Sequence, residues 1–154
     1  MLKLHNRHRA CHGSPPLTIN QDLNKIAQTY AEHLAATSKF EHSGNEYNGK
    51  SLGENLYMQW ISHGHVKADA KAAVKNWYDE IKLHNFDRPK FSKETGHFTQ
   101  MVWKSTKTMG VGVAFSPDRQ EVYIVANYFP AGNITDAGYF AKNVLRTTCR
   151  TQQL

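Results

Sequence analysis

Two histidines with carboxylates close by are the residues of this chain best suited to chemistry. His97 heads the run Gly96-His97-Phe98-Thr99-Gln100-Met101-Val102-Trp103-Lys104-Ser105-Thr106, an amphipathic stretch closed by Trp103. His42 stands between Glu41 and Ser43, and Glu54 between Gly53 and Asn55. Glu80 follows Trp77 by three residues, which on a helix puts it about 60° away around the axis, at the edge of an apolar face. An imidazole beside a carboxylate can act as a general acid or base. It can also ligate zinc while the carboxylate holds its other ring nitrogen. If these segments converge on His97, two imidazoles and two carboxylates share one cleft. The same four residues, bonded only to one another, would be a scaffold that fixes the loops around a groove.

Other chemistries find less support. A serine hydrolase needs a hydroxyl activated by a base, and there is no GxSxG elbow; Ser43 and Ser62 are candidates only because serine is common. Cys11 lies among histidines in a basic segment with no orienting group. There is no HExxH, no cysteine pair at zinc-ligand spacing, no P-loop, no GxGxxG opening a helix and no nucleic-acid-binding module. His63-Gly64-His65 could chelate a metal, but a loop pair is weak evidence. The remaining histidines, His5, His8, His12, His33 and His84, lie in polar surroundings and, like His63 and His65, are expected to be solvated.

The elements that must position these residues are legible in outline. The 154 residues are 40% hydrophobic, enough for one domain with a real core. No apolar run approaches the about 20 residues that span a bilayer. The opening Met1-Leu2-Lys3-Leu4-His5-Asn6-Arg7 turns polar at once and has no signal-peptide core. The residue after Met1 is not glycine, so the myristoylation pattern is absent. Leu4, His8 and Cys11 follow helical spacing up to Gly13, as the end of a helix with a turn or two missing upstream. Asn20 caps a helix whose Leu23, Ile26, Ala27, Tyr30 and Leu34 share one face as far as Thr37. Residues 43–53 read as loop, and Leu52 to Trp60 as strand or irregular chain. A second helix is expected from about Ala68 to Asn85, with Val74, Trp77, Tyr78 and Ile81 buried. Gly110 to Phe115 and Glu121 to Tyr128 form a hairpin apolar on both faces, hence a sheet covered on both sides. The result is an α+β fold in three layers. The tail after Val144 is polar, basic and expected to be loose. The net charge of +6 favours anionic partners. Two cysteines, Cys11 and Cys149, fit a reducing compartment.

The run from Gly96 to Thr106 resembles the first signature of the CAP superfamily, which takes in cysteine-rich secretory proteins, antigen 5 and plant pathogenesis-related 1 proteins. Ile124 to Ile134, IVANYFPAGNI, resembles its second signature. His5-Asn6 with Arg9, then His12-Gly13 and Pro15-Pro16-Leu17, look like the opening of that domain. Glu41-His42-Ser43, Gly53-Glu54-Asn55 and Trp77-Tyr78-Asp79-Glu80-Ile81 match its other fixed points in order. The resemblance covers residues 1–145, one CAP (SCP) domain, and leaves 146–154 as a basic polar tail. It implies an α–β–α sandwich with a central, mostly antiparallel sheet, and a helix over Thr99 to Trp103.

Carried over, the family's cleft tetrad falls on His42, Glu54, Glu80 and His97. Some members hold a zinc ion through the two histidines; Glu54 and Glu80 would then orient the rings. Ala126 stands where the second signature has a cysteine, removing a disulfide partner typical of secreted members. Two cysteines and no leader make the chain most similar to the Golgi-associated plant pathogenesis-related protein 1 subgroup. That subgroup implies a cytosolic location on Golgi or other membranes, anionic phospholipid as partner, a homodimer and no transmembrane segment; its short lipidated N-terminal segment is missing here. Apolar clefts between helices could take a sterol or fatty acid. The expectation is therefore a non-enzymatic, membrane-associating protein with no nucleic-acid partner. The alternatives are a metal-dependent or Ser/His hydrolase working through the tetrad, and a secreted defence or effector protein of the extracellular region whose signal peptide lies upstream.

Overall fold

The late apolar hairpin forms the centre of the molecule. In the computed structural model, which describes residues 1–150, β5 (Thr108–Phe115) and β6 (Glu121–Phe129) pair antiparallel. β4 (Gly53–Trp60) pairs antiparallel with the other edge of β6, and β1 (Thr18–Ile19) lies parallel beside the start of β5. The order is β1-β5-β6-β4, a mixed sheet in which antiparallel pairs predominate.

Strand β6 shows why the sheet is covered on both faces. Ile124, Ala126 and Tyr128 point into one core, with Trp77 and Tyr78 of α3 (Ala70–Tyr78) and Phe98, Met101 and Val102 of α4 (Gly96–Val102). Tyr123 and Val125 point into the other, with Ala27, Ala31 and Leu34 of α2 (Gln21–Thr37). Successive strand side chains leave on opposite faces, so a strand apolar throughout must have helices on both. The expected three-layer α–β–α arrangement is therefore observed. α1 (Leu2–Cys11) contacts α4, and α5 (Tyr139–Asn143) contributes Phe140 to the larger core.

Helix α2 sits very close to β5. A methyl group on Gly110 would lie 2.2 Å from the Leu23 carbonyl carbon, and one on Gly112 2.4 Å from the Ala27 backbone. The closeness lets α2 cover a free strand edge. The Val111 N–H donates to Asn24 Oδ1 (2.8 Å), and Gln28 both accepts from the Val113 N–H and donates to its carbonyl, each at 2.9 Å. A bare edge would otherwise be open to another strand. The expected cap is present: Asn20 Oδ1 accepts from the N–H groups of Asp22 and Leu23.

Four expectations are corrected. The helix expected to reach Asn85 ends at Tyr78 and tightens into a 3-10 turn, Asp79–Leu83. The turn carries Glu80, whose carboxylate is bonded across to α4. Residues 43–53 are not all loop: β2 (Glu46–Tyr47) and β3 (Lys50–Ser51) form a small hairpin. Its turn residues Asn48 and Gly49 both have positive φ, as a two-residue hairpin turn demands.

The third correction concerns histidines. His5, His8 and His12 are buried, because α1 and the residue that ends it turn them inward as packing groups. His5 Nδ1–H donates to the Met1 carbonyl and its Nε2 accepts from Tyr128 O–H at 2.6 Å. His12 likewise donates to the Leu145 carbonyl and accepts from Tyr78 O–H, and His8 stacks on Tyr78. Burial pushes His5 down to about 3 and His8 to about 4, so both are neutral. His84 is half-buried against Phe86 and Phe98, whereas His33, His63 and His65 are exposed as expected.

The fourth concerns the tail. Up to residue 150 it is fastened to α1: the Thr148 N–H donates to the Cys11 carbonyl (2.7 Å), and Cys11 and Cys149 form a disulfide. The remainder of the tail, residues 151–154, lies outside the described residues. A disulfide between the chain's only two cysteines also removes the argument for a reducing compartment.

Candidate functional site

The start of β4, the head of α4, the 42–44 loop and the turn after β6 enclose a groove of about 730 Å³. His42, Ser43, Glu54, Asn55, His97 and Gln100 are among the residues that line it. Glu80 is not; its carboxylate holds His97 through the Nδ1 side.

Each imidazole is tied to one carboxylate. His42 Nδ1 lies 2.9 Å from Glu54 Oε1, and His97 Nδ1 lies 2.8 Å from Glu80 Oε2. A carboxylate accepts, so each ring donates from Nδ1, and in the neutral ring the lone pair sits on Nε2. Trp77 stacks on His97, with planes 18° apart, and its Nε1–H donates to the Leu56 carbonyl. The His97 ring is thus fixed by a carboxylate at one nitrogen and an indole on its face.

Glu54 is the more deeply set acid, with 7% of its side chain exposed against 18% for Glu80. It accepts from His42, from the Ser43 N–H at 2.9 Å and hydroxyl at 2.5 Å, and from Asn127 Nδ2 at 3.2 Å. Burial alone would push this carboxyl up; the four hydrogen bonds outweigh it and hold the group below its ordinary value. The same bond to Glu54 raises His42 against a smaller lowering by burial. Ser43 therefore serves the carboxylate. No described hydrogen bond joins its hydroxyl to either groove histidine.

Glu80 does a second job. Its Oε1 accepts from the N–H groups of His97 and Phe98, at 2.9 and 3.0 Å. It thereby caps the start of α4, whose Thr95 supplies no side-chain cap. The other end of α4 meets Arg9. This guanidinium is completely buried, and it donates to the carbonyls of Pro15, Met101, Trp103 and Thr106 at 2.8–3.0 Å. An acid at the amino end and a cation at the carboxyl end both suit the helix dipole. Burial lowers Arg9 only to about 10, so it stays charged at neutral pH. Asn55 adds a tie from β4, donating to the His97 carbonyl and to Tyr128 Oη.

The four tetrad residues carried over from the resemblance thus fall into two pairs around one groove, His42 with Glu54 and His97 with Glu80. Sequence reasoning missed Arg9 as the carboxyl-end clamp, Ser43 and Asn127 as supports of Glu54, and the double role of Glu80. Only Ser43 carried a local signal, its place next to His42. His63 and His65 lie outside the groove lining, and Cys11 is bound in the disulfide. Among the described residues, no helix is long and apolar enough to cross a membrane, and no three His, Cys, Asp or Glu are grouped to hold a metal.

Comparison with known proteins accounts for this arrangement. The model of the cysteine-rich secretory protein family, CAP, matches residues 2–128. The chain is 47% identical to the human Golgi-associated plant pathogenesis-related protein 1 over 145 residues, covering 94% of this chain and 90% of that protein. It is 36% identical to protein PRY2 of Saccharomyces cerevisiae over 146 residues, covering 94% of this chain and 40% of the yeast protein. Among solved structures, BmVAL-1 superposes with a TM-score of 0.72 at 24% identity, covering 97% of this chain and 82% of that one. NaASP2 with Zn2+ superposes with a TM-score of 0.66 at 25% identity, covering 99% and 90%. Fold, signatures and similarity agree: the chain belongs to the CAP, or cysteine-rich secretory protein, family.

Proposed function

We propose that this is a non-enzymatic CAP-domain protein that docks on anionic phospholipid membranes and holds a divalent cation between His42 and His97. One observation carries the non-catalytic reading. Both groove imidazoles commit Nδ1 to a carboxylate, and no described hydrogen bond gives either ring a hydroxyl or thiol to activate. A Ser/His hydrolase would need that nucleophile; a metal-dependent one would need, besides the cation proposed here, donors placed to stabilise an oxyanion. The same donor set fits zinc: two imidazoles, each braced at Nδ1 by a carboxylate and with no described hydrogen bond at Nε2. A zinc ion there would supply a fixed positive charge. Among the described residues no third His, Cys, Asp or Glu is grouped for it, so water or a ligand would complete its shell. A relative's structure with Zn2+ agrees with this.

Membrane docking is supported by the net charge of +6 and by the similarity to a Golgi-associated protein. Sterol or fatty acid, and a second copy of the chain, are further partners that the family resemblance implies. Two assays test the proposal. Vesicle sedimentation should give stronger binding to anionic than to neutral vesicles; equal binding removes the electrostatic part. Peptide hydrolysis by the wild type should match that of His97→Ala and Glu54→Gln. A wild-type activity lost in both variants restores the hydrolase.

A second reading concerns location. The Cys11–Cys149 disulfide favours an oxidising compartment, hence the extracellular alternative over the cytosolic face of the Golgi. Thiol alkylation during extraction decides: blocked cysteines support secretion, and alkylated ones support the cytosol.

A further inference from the structure

A second pocket, of about 420 Å³, lies apart from the tetrad, between the 3-10 turn and the approach to α4. Arg88, Lys90, His84, Asn85 and Ser92 line it, with Leu83 among them. No Asp or Glu does so among the described residues. Arg88 and Lys90 form no ion pair with a described residue. The one aspartate of this stretch, Asp87, is engaged: Arg146 of the fastened tail pairs with it at 2.5 Å and lies over the Phe86 ring. Asn85 Oδ1 is likewise occupied, accepting from the backbone N–H groups of Asp87 and Arg88. Its amide NH2 is left as a donor.

The pocket wall also holds an unmatched polar atom: His84 Nε2 is buried without a hydrogen-bond partner. Two cations, an amide and a hydroxyl line the same pocket, and no carboxylate among the described residues lines it. Leu83, 64% exposed, lines this basic site, and Phe91, 44% exposed, stands on the opposite side of the same strip. Cations beside exposed apolar groups suit a membrane surface, where the apolar groups enter the headgroup boundary and the cations meet phosphate. Side chains along the segment alternate: Lys90 and Ser92 line this pocket, while Phe91 and Lys93 line the tetrad groove. The strip is therefore a shared wall between the two cavities.

We infer that the pocket of Arg88, Lys90 and Ser92 is where the chain grips a phosphomonoester headgroup of an anionic phospholipid, with Leu83 as the apolar anchor beside it. The inference rests on the membrane-docking reading above and assigns it to one place. It is tested by sedimentation with vesicles of phosphatidylcholine mixed with either phosphatidic acid or phosphatidylserine, at matched surface charge. The wild type should prefer phosphatidic acid. The double substitution Arg88→Gln, Lys90→Gln should weaken that binding about thirtyfold and abolish the preference. Lys67→Gln, Lys71→Gln, an equal loss of charge at exposed sites outside the pocket, should keep the preference and lose much less. Leu83→Asp should weaken binding to both anionic vesicles. Circular dichroism confirms that each variant is folded.

Inorganic phosphate serves as the soluble probe. If it binds at Arg88 while the two anionic vesicles bind equally, the pocket takes free phosphate and the lipid assignment is overturned. If the two double substitutions weaken vesicle binding equally, attraction is diffuse and this inference alone falls. If the wild type sediments with no anionic vesicle, the docking reading itself falls.

Discussion

At the scale of single residues, the site depends on polar groups with more than one duty. Glu80 caps α4 and orients His97; Glu54 takes four hydrogen bonds, two of them from Ser43. The histidines and their acids are legible in the sequence as residue types suited to one another. Their pairing is not, because residues 42 and 54, or 80 and 97, meet only through the fold. Arg9 is less legible still. Its significance lies in carbonyls about ninety residues away in sequence, and an arginine in a basic opening beside Lys3 and Arg7 looks like surface charge. Arg9→Met should destabilise the chain by about 3 kcal/mol or more, since it strands buried carbonyls that a charged donor satisfies. A urea midpoint shift worth less than about 1 kcal/mol contradicts this role.

The buried histidines carry a pH signature. The folded His5 titrates at about 3, against an ordinary value of 6.5. Below pH 6.5 the unfolded chain therefore binds a proton that the folded chain refuses. Stability is full above that pH and falls by about 1.4 kcal/mol per unit below it for His5 alone. His12 and His84 act in the same direction, also through burial. Glu54, whose folded value is lowered, adds a loss at still lower pH. Denaturant midpoints measured from neutral pH downwards should decline from about pH 6.5; a flat profile to about pH 5 contradicts the burial of neutral rings.

At the scale of elements, periodicity locates the helices and the hairpin, and packing decides the rest. Asn20 and the shared face of Leu23, Ala27 and Leu34 are enough to specify α2. Nothing in that pattern says that the helix lies on Gly110 and Gly112, because glycine records space left for a neighbour without naming it. Gly112→Ala would put a methyl group 2.4 Å from the Ala27 backbone, which cannot swing aside as a side-chain end can. The expected cost is about 1–3 kcal/mol, read as a lowered denaturant midpoint. Unchanged stability would mean that α2 is not seated on the strand. The expected long helix to Asn85 fails for a related reason: apolar spacing continues through Ile81, but the bonds from Glu80 to α4 favour a tighter turn.

For the molecule as a whole, the two long signatures carry the fold class, and the three-layer sandwich follows from a strand apolar on both faces. Polarity misleads at both ends of the chain. The basic, histidine-rich opening looks solvated and is core, because rings such as His5 and His12 find a hydroxyl partner at one nitrogen and a carbonyl at the other. The polar tail looks loose and is fastened through Thr148 and Cys149. Both errors arise where polar groups satisfy one another over long separations, which local pattern does not record. The groove is the part of the molecule where such pairs face a cavity, and its proposed occupant is the claim most open to direct test. Zinc titration by calorimetry, on protein purified without chelators and then stripped, provides that test. One site per chain is expected, lost in His42→Ala and in His97→Ala and weakened about 10- to 100-fold in Glu80→Gln. Zinc binding unchanged by all three substitutions, or no binding by the wild type, contradicts it and leaves the tetrad as a scaffold for the groove.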